Sequence, residues 1–134
     1  MSNVILNICF DWCYDVFNEL KYKFNIEYPL YYNSLVMDLT LDTIQNLELV
    51  KSRSKYQAVL ICSIYLIIKK FNNLANEPEF NFDLMLWYTN NTYNKEDCTE
   101  ILKYQQAYLD TKIRVLTNLS ITNFIVKKEN IVPY

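Results

Sequence analysis

Apolar residues Ile5, Ile8, Cys9, Trp12, Val16 and Leu20 recur at helical spacing, with Asp11, Asp15, Asn18 and Glu19 between them. That pattern predicts a helix over about 3–24 with one apolar face. Pro29 marks the next start, because proline is tolerated in a first helical turn. A second helix is expected from there to about Leu41, with Leu30, Ser34, Met37 and Leu41 inward. Residues 40–52 are less regular: one or two more turns, with Leu49 and Val50 packing loosely on the core. The third segment is different in kind. Tyr56, Val59, Leu60, Cys62, Ser63, Leu66, Ile67 and Phe71 leave almost no polar face, the mark of a helix buried at the centre of a bundle. Ser54 is its expected N-cap. The β-branched content of 59–68 also permits a strand; length and the flanking lysines favour helix.

A polar connector over 72–81 contains Pro78. A short helix over about 82–88 follows, offering Phe82, Met85, Leu86 and Tyr88. A fifth helix is expected from Asn94, whose side chain suits a cap, with Glu96 and Asp97 against the positive end of the helix dipole. Its apolar positions are Cys98, Ile101, Leu102, Ala107, Tyr108 and Leu109. The tail, 114–134, holds Val115, Leu116, Leu119, Ile121, Phe124, Ile125 and Val126, as a sixth helix or an extended cover on the preceding domain. The fold class expected is all-α: a five-helix bundle around a central apolar helix, spanning 1–113, with an extra C-terminal helix or tail.

Composition narrows the chemistry. The 134 residues suit one domain, and with 51% apolar residues they can bury a real core. There is no glycine, which excludes glycine-rich phosphate loops and the dinucleotide fingerprint. There is no histidine, which removes Ser-His-Asp and Cys-His catalysis, histidine metal sites and the usual near-neutral proton shuttle. A net charge of −2 argues against a broad basic surface for nucleic acid. Cys9, Cys13, Cys62 and Cys98 sit inside apolar or helical patterns and read as reduced, small hydrophobes rather than metal ligands. The start Met1-Ser2-Asn3 lacks the basic region of a signal peptide, and the apolar run 58–68 falls short of the roughly 20 residues of a membrane span. An intracellular protein without a membrane segment is expected. Carboxylates at i, i+4, Asp11 with Asp15 and Glu96 with Glu100, read as solvated helix faces rather than hydrolytic pairs. The abundance of Asn, Ile, Tyr and Lys hints at an AT-rich coding genome, as in large DNA viruses and some protists.

Several anchors occur in a fixed order. Lys55-Tyr56-Gln57 opens the central helix and Lys69-Lys70-Phe71 closes it. Tyr88-Thr89-Asn90-Asn91-Thr92-Tyr93-Asn94-Lys95 precedes the fifth helix. Asp11-Trp12 lies in the first helix, with Asp15 beyond it, and Asp38 in the second. Together they resemble the cyclin box over about 4–113, and the chain looks like a minimal, one-box, viral-type cyclin homologue. The resemblance implies a regulatory protein, not an enzyme, with no cofactor, that binds and activates a cyclin-dependent kinase of the host, in the nucleus or cytoplasm, and modulates cell cycle or transcription.

It also implies sites. In cyclins a lysine ending the third helix and a glutamate in the fifth clamp the kinase. Here Lys69 or Lys70 takes the lysine's place, and the glutamate's position falls on Leu102. Glu100 is near in sequence, but two residues turn a helix by roughly 200°. An interface rebuilt on apolar contact would use Leu66, Leu102, Gln106 and Ile113. The first-helix arginine of cyclins is replaced by Leu6, so a buried Asp38 would need other donors; a surface position is the alternative. The substrate-recruitment groove of cyclins corresponds to Ile5, Ile8, Cys9, Trp12, Asp15 and Gln57, suited to a short basic-hydrophobic peptide. The favoured alternative is that the same residues are simply the buried face of the first helix. A cyclin-fold adaptor that binds transcription or immune-signalling proteins, and no kinase, is the second expectation.

Overall fold

The computed structural model describes residues 3–25, 27–48, 53–72 and 77–129, with the backbone alone described at 3, 6, 53 and 113–129. The architecture is all-α, with five α-helices among the described residues and no strand. They are α1 (Asn3–Phe24), α2 (Tyr31–Asn46), α3 (Tyr56–Phe71), α4 (Phe82–Trp87) and α5 (Lys95–Glu129). A 3-10 turn, Arg53–Lys55, leads into α3. The expectation for Leu49, Val50 and Ser52 lies outside the described residues.

α3 is the centre. From Ala58 to Ile68 every residue except Tyr65 is buried, and α1, α2, α4 and α5 all pack on it. Fully burying one Ile or Leu contributes roughly 1.5–3 kcal/mol, so this one helix concentrates much of the hydrophobic stabilisation.

The other helices place faces that the sequence read imperfectly. α1 buries Cys9, Cys13, Val16, Phe17 and Leu20, while Ile8 is 61% exposed and Ile5 and Trp12 are only partly covered. The segment is apolar on two adjacent stripes, and the 9-13-16-17-20 stripe goes inward. α2 runs to Asn46, one turn past the expected end. Its inward face is Tyr32, Asn33, Val36, Met37, Leu39, Thr40 and Thr43. Of the four expected inward residues only Met37 is buried; Leu30 and Ser34 are exposed and Leu41 is partly covered. The face is rotated because three polar residues face inward with partners. Cys13 donates from Sγ to Asn33 Oδ1 at 3.4 Å, Thr43 donates to Leu39 O at 2.7 Å, and Thr40 meets the Ser63 hydroxyl at 2.8 Å. Asp38 is exposed, so its carboxylate needs no buried donor.

The ends of the helices show how a chain without glycine turns. Asn25, Asn90 and Asn91 hold the positive φ values of 51°, 56° and 53°. Asparagine tolerates the left-handed region better than any other residue with a Cβ, apart from aspartate. α4 is capped by Asn81, whose Oδ1 accepts from Leu84 N at 3.0 Å. α5 begins with a reciprocal box, as expected from Asn94. Asn94 Oδ1 accepts from Asp97 N at 2.9 Å, and Asp97 Oδ2 accepts from Asn94 N at 3.0 Å. Ser54 is not the N-cap residue of α3. Lys55 occupies the N-cap with helical φ and ψ and no side-chain bond, because the preceding 3-10 turn already winds the chain. α5 then continues without a break to Glu129, so the separate sixth helix or extended cover is replaced by one helix of 35 residues. In its first half Ala107 is exposed and Gln105 is fully buried, the reverse of what polarity suggests. The packing of the tail residues Val115–Val126 lies outside the described side chains.

Candidate functional site

Three surface regions carry the residues singled out from the sequence. The first is the C-terminal end of α3. Lys69 stays beside its own helix: its ammonium donates to the Tyr65 hydroxyl at 3.2 Å and lies 5.3 Å from the centre of the Tyr65 ring. Tyr65 is itself wedged against Phe80 and Phe82, at ring separations of 5.4 and 5.3 Å. Lys70 turns toward α5 and pairs with Asp110 at 3.3 Å. Gln106 donates to the same carboxylate oxygen at 3.0 Å. Leu102, Gln106 and Asp110 follow one another at i, i+4 and i+8, so they share a face of α5. Leu102 on that face is half-buried and Gln106 exposed. Leu66 is buried in the core, and Ile113 lies outside the described side chains. Asp110 was missed in the sequence. Its signal was available: it stands two helical turns beyond Leu102, with Lys70 the cation it meets.

The second region is a groove between the N-terminal half of α1 and the start of α3. Its cavity of about 410 Å³ is walled by Ile5, Ile8, Cys9 and Trp12 on one side and Tyr56, Gln57 and Leu60 on the other. Five of the six residues predicted for the recruitment groove therefore converge on one concavity. Asp15 is exposed on α1, one turn past Trp12, and does not line it. The two readings of these residues, groove wall or buried face, divide by residue: Cys9 is buried, Ile8 faces solvent, and Trp12 lies between. Burial pushes the Cys9 thiol up.

The third region was not anticipated. An open concavity of about 830 Å³ lies between the C-terminal part of α1 and the outer face of α4, lined by Glu19, Tyr22, Lys23, Asp83, Leu84, Trp87 and Tyr88. Burial, and then the Glu19 carboxylate, raise the Tyr88 phenol.

Beneath the first region a polar network joins α2, α3 and α5. Gln105 Nε2 donates to Ser63 Oγ at 2.9 Å and to Thr43 Oγ1 at 3.1 Å. Each hydroxyl passes its own proton on, Ser63 to Val59 O at 3.0 Å and Thr43 to Leu39 O. Gln105 Oε1 has no hydrogen-bond partner among the described residues. At the α5 surface Tyr104 donates to Asp42 Oδ2 at 2.7 Å, and burial together with that carboxylate pushes its phenol up to about 12.

The motif before α5 has a structural role of its own. Thr89 donates to Leu86 O and Thr92 to Thr89 O, both at 2.6 Å, fixing the Asn90-Asn91 turn. The Tyr93 hydroxyl donates to Ser54 O and ties the start of α5 to the start of α3.

All four cysteines are free and buried, and burial pushes Cys13 up to about 12 and raises Cys62. Among the described residues no three His, Cys, Asp or Glu side chains gather as a metal site would require, and no helix is long and apolar enough to cross a membrane. Neither a family model, nor a curated protein, nor a solved structure matches this chain.

Proposed function

We propose that the protein is a cyclin-like regulator that binds a host cyclin-dependent kinase through the end of α3 and the adjacent face of α5. Binding holds the regulatory helix of the kinase in its active position and so biases an equilibrium the kinase already has. The kinase supplies ATP and magnesium; this chain supplies surface. The observation that carries the reading is the meeting of Lys70 with Asp110 at 3.3 Å. The acid absent at Leu102 has a counterpart on the same face of α5, two turns along. The groove of Ile5, Ile8, Trp12 and Gln57 then serves to recruit short basic-hydrophobic peptides, with Asp15 at some remove. A viral origin and action in the nucleus or cytoplasm of a host belong to the same proposal.

The adaptor reading keeps the groove and drops the kinase. It is favoured by one observation: half-buried Leu102 gives the α5 face an apolar residue where a clamp needs a charge.

Mixing the purified protein with a panel of monomeric cyclin-dependent kinases separates the two. A stable complex with raised histone phosphorylation is expected, weakened at least tenfold by the double change Lys70→Ala, Asp110→Ala, on the order of 1.4 kcal/mol. No complex with any kinase of the panel would sink the kinase reading and leave the adaptor.

A further inference from the structure

We propose that Cys62 and Cys98 form a reversible thiol–disulfide exchange site, which takes a low-molecular-weight disulfide of the oxidised-glutathione class and, once oxidised, staples α5 to α3. Neither residue lines the α1–α3 groove or the α1–α4 concavity, and neither belongs to the Lys70–Asp110 surface.

Both thiols are free and fully buried, on two helices that pack against each other. Cys62 sits in the middle of α3, and Cys98 follows the capped first turn of α5. Their sulfurs are within hydrogen-bond reach, Cys62 donating its S–H to Cys98. A disulfide needs them only to close to ~2.05 Å. Cys98 is covered but shallow, since Glu96, Asp97, Thr99 and Glu100 around it are all exposed. Tyr93 stands beside it, half-buried, with its hydroxyl given to Ser54 O; burial, then Cys98 and Asp97, raise that phenol. The clip from Tyr93 to Ser54 holds the start of α5 against the start of α3. Its release admits an oxidant to Cys98, by the local opening that helix ends undergo most readily.

The two sulfurs take different parts. The hydrogen bond from Cys62 draws the Cys98 thiol below its usual value, and the Lys55 ammonium adds to this, against burial and the Asp97 carboxylate. Burial, and then Cys98, push the Cys62 thiol up. The thiolate is the nucleophile, so Cys98 attacks and Cys62 resolves. Cys98 attacks one sulfur of the glutathione disulfide. That S–S bond breaks, and the first glutathione leaves as a thiolate that takes up the proton Cys98 has lost. Cys62 then attacks the Cys98 sulfur of the mixed disulfide. A Cys62–Cys98 bond forms, the bond to glutathione breaks, and the second glutathione takes up the proton of Cys62. Two protein thiols are oxidised and one glutathione disulfide is reduced to two thiols. Cys9 and Cys13 do not offer the same arrangement. They lie on one helix, and the Cys13 thiol is committed to Asn33 and pushed up to about 12.

The test incubates the whole reduced chain with glutathione disulfide and follows it by mass spectrometry. The intact mass should fall by two hydrogens, and the tryptic peptides 56–69 and 96–103 should be linked, with full reversal by dithiothreitol. Oxidised chain should unfold at a higher urea concentration than reduced chain. Cys62→Ser should trap glutathione on Cys98 as a mixed disulfide, whereas Cys98→Ser should leave Cys62 unmodified. Tyr93→Phe, which lacks the hydroxyl given to Ser54, should be oxidised several-fold faster. The first measurements are made on the unaltered chain, so a variant that folds poorly leaves them standing. No link between 56–69 and 96–103, a link through Cys9 or Cys13 in its place, glutathione on Cys62 in Cys98→Ser, an unchanged rate in Tyr93→Phe, or no gain in the urea midpoint each overturns the proposal.

Discussion

At the residue scale the decisive side chain is Gln105, a fully buried amide that donates to Ser63 Oγ, Thr43 Oγ1 and, at 3.5 Å, Val59 O, and whose Oε1 receives no hydrogen bond among the described residues. Its partners Ser63 and Thr43 use their protons elsewhere, so losing the amide strands no donor. Removing both the amide donors and the orphan oxygen with a side chain of similar length is therefore cheap. Gln105→Met should change stability by less than about 1 kcal/mol, whereas Gln105→Ala, which leaves a cavity, should cost roughly 2–4 kcal/mol in urea unfolding. Tyr104 gives a pH signature. Its phenol is raised from 10.0 to about 12 in the folded protein, so folding favours the protonated form. That contribution is complete below pH 10 and is lost as pH rises through 12. Stability should fall across that window, and Tyr104→Phe should flatten the fall. Inward-facing polar residues were the least legible in the sequence. Asn33, Thr40, Thr43 and Gln105 were not among the expected inward positions, because each meets a partner on another helix, which no local pattern reveals.

At the element scale the sequence was most legible where periodicity was joined by a cap. Asn94 with Asp97 located the start of α5, and Asn94→Ala should cost about 1 kcal/mol in thermal or urea unfolding. The Asn90 and Asn91 turn obeys the same logic from the backbone side. At φ 56° a Cβ-bearing residue is strained, so Asn90→Gly should be neutral or slightly stabilising. Asn90→Val should destabilise by roughly 1–2 kcal/mol. Where apolar residues were too plentiful the pattern lost resolution. α1 offers two adjacent apolar stripes, and periodicity alone could not choose the one that Cys13 and Phe17 occupy. The continuity of α5 was illegible for a related reason: no glycine or proline stands between Ile113 and Glu129 to stop a helix, yet neither does a clear single face extend through it.

At the scale of the whole molecule, one helix organises the rest. Ile61 is fully buried in α3, and Ile61→Ala should cost about 2–5 kcal/mol, enough to threaten folding in a domain of this size. Lys70→Ala should cost under about 1 kcal/mol, because its pair with Asp110 is partly exposed to water. That contrast separates residues that hold the bundle from residues available for a partner, and it makes the α3–α5 surface testable without confusion from unfolding. The central place of α3 was the plainest statement in the sequence. The grooves were not, since they depend on which faces of α1 and α4 remain uncovered after packing.

The burial of α3 also has a consequence for synthesis. α5, which covers part of α3, is made after it. At ~5–20 residues per second, roughly two to eight seconds separate the end of α3 from the residues of α5 that pack on it. Through that interval a helix apolar on nearly every face from Ala58 to Ile68 waits half-covered near the ribosome, a natural target for a chaperone. A chain stopped before Lys95 should bind such a chaperone or aggregate, and release should follow once the first half of α5 is added.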